Sequence, residues 1–292
     1  MTENPDRSGC GGKATAIRRA RVVRNEPLTP TAYAIDLDAN AIARAARPGQ
    51  FVMLRLGEGA APTLARPFAV YDAPEGEGGA RLVRILYRRV GRGTELMTRL
   101  VPGDEVGLWG PLGRPFDLGG GADEWVLVAG GIGAASFGLA VRALAANRDA
   151  SRIVYLNGAR SARELVSFAP FDLAGVETFE ATDNGSAGLR GNAIDLVERH
   201  LGAKPAAKRR RFLASGPRMM LARFADLARE WDLDAQITTE ELMACGVGAC
   251  QGCVTKLRDA SAPDGFRYVR VCTEGPVFRA EDLIFDRFGY LR

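Results

Sequence analysis

The 292-residue sequence predicts a β-barrel plus α/β architecture with a cysteine-bearing C-terminal module. Short β-type runs broken by turn residues fill the first part of the chain. Strands alternate with helices after the glycines at 119–121. Four of the five cysteines gather between positions 245 and 272. At roughly 100–200 residues per domain, the length fits two domains and an appendage.

The early β-type runs are 20–24, 32–38, 50–56, 68–71, 82–88 and 105–108. Pro27, Pro30, Pro48-Gly49, Pro62, the glycines at 76–79 and Pro102-Gly103 separate them, and one helical turn at 94–100 interrupts the series. Regularly spaced short strands with turn signals between them predict an antiparallel sandwich or small barrel. Farther on, 125–129, 153–156, 177–181 and 211–214 read as strands. A helix running to about 146 and further helices at 162–168, 193–200 and 218–231 alternate with them. That rhythm predicts a parallel, doubly wound sheet. The expected division is a flexible tail 1–13, a barrel domain 14–118, an α/β domain 122–238 and a cysteine segment 239–292.

With 47% apolar and 25% charged residues the composition is that of an ordinary globular protein, long enough to bury cores without disulfides. The net charge of +4 is spread along the chain. Its densest basic run, Lys208-Arg209-Arg210-Arg211, precedes an apolar segment and reads as a loop entering a strand, not a nucleic-acid patch. No run approaches the roughly 18 apolar residues of a membrane helix, so no membrane partner is expected. The polar, glycine-rich segment 1–12 lacks the apolar core of a secretory signal. Cys10 lies there as a free thiol. Grouped cysteines favour a reducing, cytoplasmic setting with a metal site.

The cysteines carry the strongest signal. Cys245-x4-Cys250-x2-Cys253 followed by a distant Cys272 is the plant-ferredoxin spacing for a [2Fe–2S] cluster. Soft thiolates suit that chemistry. Gly246, Gly248 and Gly252 let the loop curl with its amide groups inward, where hydrogen bonds to sulfur help set the reduction potential. A zinc site would pair its ligands as two short Cys-Cys units or recruit a histidine. Here three cysteines cluster, one stands apart, and the only histidine, His200, is elsewhere.

Two further regions read as anion sites. Trp125-Val-Leu-Val-Ala-Gly130-Gly131-Ile-Gly133-Ala-Ala-Ser136 is a strand passing through glycines into a helix, which offers backbone N–H groups to a phosphate. It departs from the dinucleotide fingerprint at Ser136, and Leu156-Asn157-Gly158 stands where an acidic residue would end the second strand. A plain strand–helix turn is the alternative. In the barrel, Ala65-Arg66-Pro67-Phe68-Ala69-Val70 offers a guanidinium, an aromatic ring and a strand backbone. Gly91-Arg92-Gly93-Thr94 opens the short helix with N–H groups and a hydroxyl.

In order along the chain stand Pro48-Gly49-Gln50-Phe51, Arg66-Pro67-Phe68-Ala69, Gly93-Thr94, Gly110-Pro111-Leu112-Gly113 and Ala129-Gly130-Gly131-Ile132-Gly133. Thr182-Asp183-Asn184-Gly185-Ser186, Ser215-Gly216-Pro217, Met243-Ala-Cys-Gly-Val-Gly-Ala-Cys, Arg270-Val271-Cys272 and Gly275-Pro276-Val277-Phe278 follow. This set, spanning about 14–278, resembles the ferredoxin–NADP reductase superfamily. Within it the chain is most similar to the electron-transfer subunits of NAD-dependent dihydroorotate dehydrogenases.

The resemblance implies an antiparallel Greek-key flavin-binding barrel, a nucleotide-binding doubly wound sheet and an iron–sulfur module. FAD would be held by Arg66 at its pyrophosphate, lined by Phe68, Ala69 and Val70 with Pro67, and by Leu86, Tyr87 and Arg88, with Gly93 and Thr94 completing the phosphate contacts. NAD(H) would lie at Gly130, Gly131 and Gly133, its nicotinamide near Gly216 and Pro217. Cys245, Cys250, Cys253 and Cys272 would ligate the cluster. Ala69 stands where the family usually has serine, and Ser215 where relatives often have cysteine. The tail is longer than the family core needs.

The resemblance further implies hydride transfer from NADH to FAD and single electrons onward through the cluster. The partner would be an FMN-containing dihydroorotate dehydrogenase catalytic subunit of pyrimidine biosynthesis, in a heterotetramer with two subunits of each kind. Met243, Val247, Val254 and Arg270 would face that partner or pack around the cluster. Hydride transfer needs no acid–base side chain, so none is assigned as catalytic. Arg160, beyond the second strand, bears on NADH against NADPH, with NADH expected. The competing readings are a subunit of a hydrogenase or of a bifurcating NADH–ferredoxin oxidoreductase, and a zinc-stabilised nucleotide-binding module without redox turnover.

Overall fold

The computed structural model describes residues 15–57, 64–146, 152–167, 175–202 and 209–285. The tail with Cys10, and Lys208, lie outside the described residues. Six strands build the first sheet: β1 (Thr15–Pro27), β2 (Ala32–Asp38), β3 (Phe51–Leu56), β4 (Arg66–Ala69), β5 (Leu82–Arg88) and β6 (Glu105–Leu112). Their order is β4-β3-β6-β1-β2-β5 and every pairing is antiparallel. Just past β4, Tyr71 N donates to Arg84 O and Arg84 N to Asp72 O, both at 2.9 Å, so the chain closes back on β5. Two short helices interrupt the barrel, α1 (Asn40–Ala45) and α2 (Arg92–Met97). Only the second was expected.

The α/β part comprises β7 (Glu124–Gly130), α3 (Gly138–Ala146), β8 (Arg152–Ala159), β9 (Val176–Thr182), β10 (Leu189–Arg190), α4 (Ala193–Gly202), β11 (Arg210–Ser215), α5 (Arg218–Glu230) and β12 (Asp234–Thr238). The cysteine region adds β13 (Val254–Arg258), β14 (Phe266–Arg270), α6 (Val271–Glu274), β15 (Val277–Arg279) and β16 (Leu283–Ile284). The large sheet runs β10-β9-β8-β7-β11-β12-β15, parallel except for β15, and a small antiparallel sheet runs β14-β13-β16. The doubly wound class holds.

Two expectations are corrected. The expected helix at 162–168 is a single 3-10 turn, Ala162–Glu164, with residue 168 outside the described residues. Asn157 and Gly158 do not follow the second strand but lie inside β8. Beyond 239, β15 returns to pair with β12 and covers what would be the bare edge of the large sheet.

Alternation explains how the parts lock together. Along β7, Val126 and Val128 face one core while Trp125, Leu127 and Ala129 face another. Along β3, Val52, Leu54 and Leu56 fill the barrel, whereas Phe51 and Met53 point outward into the core that also holds Cys253 and Cys272. A polar clamp adds to this. Asp72, 0% exposed, receives Arg142 of α3 through two bonds of 2.6 and 2.8 Å, and Leu139 N donates to Tyr71 O at 2.7 Å.

The basic run is structural where it is described. Arg210 Nε lies 3.2 Å from buried Glu124, and Arg211 pairs with Asp234 at 2.8 Å and lies over the Trp125 ring. His200 Nε2 sits 2.7 Å from the same Glu124. Among the described residues no helix is long and apolar enough to cross a membrane.

Replacing Arg142 with alanine would strand the buried Asp72 carboxylate. Arg142→Ala should cost about 3 kcal/mol of stability in urea unfolding, whereas Arg223→Ala, whose ion pairs are exposed, should cost no more than about 1 kcal/mol.

Candidate functional site

All four residues of β4 (Arg66, Pro67, Phe68 and Ala69), the end strand of the six-stranded sheet, are half-buried, so β4 borders an opening. Arg66 Nη1 donates to Leu64 O at 2.8 Å, and the remainder of its guanidinium lies against Gly93, where a Cβ would overlap it. The two barrel segments singled out in the sequence therefore meet, with a guanidinium under the first turn of α2. This cradle fits a pyrophosphate, since it joins a fixed positive charge to backbone N–H groups.

Other barrel candidates contribute differently from expectation. The buried Thr94 Oγ1 accepts from Val90 N (2.9 Å) and Gly91 N (3.1 Å) and donates to Gly91 O (3.0 Å). A hydroxyl has one donor and two acceptor positions. All are used in folding the loop, so Thr94 shapes the cradle and does not bind phosphate through its hydroxyl. Val70 and Tyr87 turn into the barrel core, where Tyr87 Oη donates to Asn25 Oδ1 at 3.0 Å and its ring stacks on Tyr33. Leu86 is buried between barrel and large sheet. These three can meet a cofactor only through backbone, because their side chains are buried in the two cores. Arg88, at its end, reaches outward.

Across the cleft, β7 ends at Gly130 and a 3-10 turn, Gly131–Ser136, leads toward α3. A Cβ on Gly133 would overlap Ser215 O, and one on Gly130 would come within 2.7 Å of Pro217 Cδ. Gly130, Gly133, Gly216 and Pro217 thus come together at the C-terminal ends of β7 and β11, where open parallel sheets bind their ligands. A Cβ on Gly131 would stand 3.6 Å from Arg88 Nη1, so the barrel faces this turn directly.

The two departures at Ser136 and Ser215 prove to be neighbours, their hydroxyl oxygens 3.0 Å apart and buried. The Ser215 hydroxyl is thereby tied to the glycine turn. Arg160 is exposed just past β8. Glu240, beyond β12, went unnoticed in the sequence. It is exposed at the end of β12; desolvation by the neighbouring protein raises its carboxyl above the usual range and the Arg88 guanidinium opposes that. A lone acidic residue ahead of a cysteine motif carries no spacing signal that would have revealed it.

The four cysteines converge. Cys245 Sγ accepts from the N–H groups of Val247 and Cys250, both at 3.4 Å. Cys245 also hydrogen-bonds the Cys250 thiol, and Cys272 hydrogen-bonds the Cys253 thiol. Burial would raise the Cys245 thiol, but the Cys250 and Val247 amides outweigh it and bring the pKa to about 7. Burial, reinforced by Cys253, pushes Cys272 to about 12. Among the described residues no three His, Cys, Asp or Glu side chains close on one point as a single metal ion needs. The thiols instead form two neighbouring pairs, the arrangement that two sulfide-bridged irons use, and the inward N–H groups suit cluster sulfur.

The loop is held by shape. Gly246 takes φ +71°, and a Cβ there would come within 2.5 Å of Met53 Cγ. Met243 is buried in the core that holds Cys253 and Cys272, the packing alternative of its two expected roles, while Val254 and Arg270 are half-buried. Leu242, 85% exposed, and Val247, 51% exposed, are the apolar residues presented outward.

Residues 240–284 match the family model described as the iron–sulfur cluster binding domain of dihydroorotate dehydrogenase B. That match speaks against the zinc module. The dihydroorotate dehydrogenase B (NAD(+)) electron transfer subunit of Desulforamulus reducens is 36% identical over 91% of this chain and 98% of its own length. The chain belongs to this family. The corresponding subunit of Fusobacterium nucleatum is 33% identical over the same shares. Among solved structures, the NADH-dependent reduced ferredoxin–NADP oxidoreductase, solved to study flavin-based electron bifurcation, superimposes with a TM-score of 0.76 at 25% identity. It covers 94% of this chain and 91% of that one. The family's fold, a flavin and nicotinamide reductase architecture joined to an iron–sulfur domain, is therefore this chain's fold.

Two outcomes follow from the geometry. Arg66→Ala should weaken FAD binding by about 2 kcal/mol, roughly thirtyfold in Kd by flavin fluorescence titration. Gly246→Val should lose iron and acid-labile sulfide on metal analysis while flavin content stays near wild type, because the backbone strain lies in the cluster loop and the overlap falls on Met53 and Leu112 beneath it, not on β4.

Proposed function

We propose that this chain is the electron-transfer subunit of an NAD-dependent dihydroorotate dehydrogenase, linking NAD(H), FAD and a [2Fe–2S] cluster to a catalytic partner. What supports this reading most is that three parts share one region of the molecule. They are the Arg66–Gly93 cradle, the Gly130–Gly216 turn pair and the cysteine loop seated on β3. Held there, FAD would supply the exchange between the two-electron hydride chemistry of NAD(H) and the one-electron chemistry of the cluster.

The chain's own residues would bind and orient. Arg66 and the first turn of α2 hold the pyrophosphate of FAD. Phe68 and Ala69, with backbone of Val70, Leu86 and Tyr87, border the flavin, and Arg88 faces the nicotinamide cleft. Gly130, Gly131 and Gly133 receive the dinucleotide phosphates, with Gly216 and Pro217 at the nicotinamide. Ser136 fixes Ser215, so the turn and the nicotinamide platform are joined by a hydroxyl pair. Cys245, Cys250, Cys253 and Cys272 ligate the cluster. The partner is an FMN-containing catalytic subunit in a heterotetramer of two subunits of each kind, docking over exposed Leu242 and Val247. NADH is the preferred nucleotide and the cytoplasm the setting, in keeping with a thiol-ligated cluster.

The likeness to the bifurcating oxidoreductase favours one second reading, a subunit delivering electrons to a ferredoxin-type acceptor. One preparation separates the two. Co-purified with its dihydroorotate dehydrogenase subunit, the chain should support orotate formation coupled to NAD reduction. Leu242→Asp should lower that rate at least tenfold while NADH reduction of the flavin stays unchanged. A stable complex that forms no orotate but reduces ferredoxin would establish the second reading.

A further inference from the structure

We propose that Trp109 is a positioning residue for flavin-to-cluster electron transfer. Its indole N–H grips the Cys245 carbonyl, seating the cluster loop on β6 and β3, next to the flavin-bordering β4, and drawing electron density from a cluster ligand. The inference rests on the reading that Cys245 ligates a [2Fe–2S] cluster.

Trp109 lies on β6 opposite Met53 of β3. Leu108 beside it points into the barrel core, so alternation puts Trp109 on the outer face. There it packs against the core containing Phe51, Met53, Leu112, Cys253 and Cys272. Its Nε1 donates to Cys245 O at 3.2 Å, across 136 positions of sequence. Indole nitrogen is a donor only, and a phenyl ring would supply similar apolar contact. The hydrogen bond is therefore what tryptophan adds here.

The next residue is anchored on the same strands, with Gly246 pressed onto Met53 and Leu112. β3 pairs along its other edge with β4, whose Arg66–Ala69 segment borders the flavin opening. The Cys245-Gly246 turn is thus fastened to β6 through Trp109 and Leu112 and to β3 through Met53, and β3 in turn adjoins the flavin segment. A donor that withdraws charge from a ligand's peptide favours the reduced, more negative cluster and raises its potential, as second-shell groups around metal centres do. Holding the turn also fixes the distance the electron must cross.

The test uses the full chain loaded with FAD and cluster. Trp109→Phe keeps a ring and removes the donor; Trp109→His restores a ring N–H. Reduction of flavin by NADH in stopped flow should be unchanged in both. In an EPR-monitored titration, the Trp109→Phe cluster should show a reduced-to-oxidised ratio three- to tenfold below wild type at the same ambient potential. Tenfold corresponds to 59 mV for one electron. Electron passage from flavin to cluster should slow at least threefold, and Trp109→His should recover part of both effects.

Tryptophan fluorescence gives a readout independent of turnover. Of the three tryptophans, Trp109 is the one bonded to the cluster loop, so most of the quenching on cluster loading should vanish in Trp109→Phe. A loaded Trp109→Phe chain with wild-type potential and transfer rate overturns the proposal alone. If Trp109→Phe loads poorly and Trp109→His recovers neither loading nor potential, the donor is not the cause and the proposal falls. Wild-type chain that takes up no iron overturns both this proposal and the functional reading.

Discussion

Strand β3 has no solvent face between Phe51 and Leu54, and the arrangement of the molecule follows from that. Its inward side chains fill the barrel. Its outward ones, Phe51 and Met53, enter the core shared by the large sheet and the cysteine module. A strand buried on both sides cannot shift register by one residue without exchanging these two sets. The β4 opening and the cysteine loop, which flank β3, are therefore held at a fixed spacing by packing that neither could relax alone.

Close backbone approach does at the nucleotide end what β3 does at the barrel. Gly133 against Ser215, and Gly130 against Pro217, bring two strand ends nearer than side chains would allow. The Ser136–Ser215 hydroxyl pair then satisfies two buried polar groups that would otherwise cost stability. The same logic governs the Asp72–Arg142 clamp, which joins barrel to α3 and leaves no buried carboxylate uncompensated. Electron transfer asks for such rigidity, because no large motion is needed once the cofactors stand in line.

Much of this was legible before any coordinates. The cysteine spacing is a local chemical pattern, and ligand number and geometry constrain it so tightly that residues 245–272 announce the cluster unaided. β2 and β5 match the expected runs at both ends, since each is a largely apolar run set off by turn residues nearby. β4 began two residues earlier than expected, because Arg66 and Pro67 do not look like strand residues. Strand β12 escaped notice because Asp234 and Gln236 break an otherwise apolar run.

The sequence by itself determined the cluster chemistry, the class of fold and the order of its parts, because those depend on spacing and periodicity within short windows. The flavin and nicotinamide came from the family resemblance. Only the tertiary structure decided which candidate side chains are available. Thr94 is spent on its own loop, and Tyr87 and Val70 are turned inward. Met243 is buried where Leu242 is exposed, and Glu240 and Trp109 stand at the junctions. β15 crosses back to complete the large sheet, tying the cysteine segment to β12. Each of these depends on which distant strand covers a given face, and contacts made across more than a hundred residues leave no trace in local pattern.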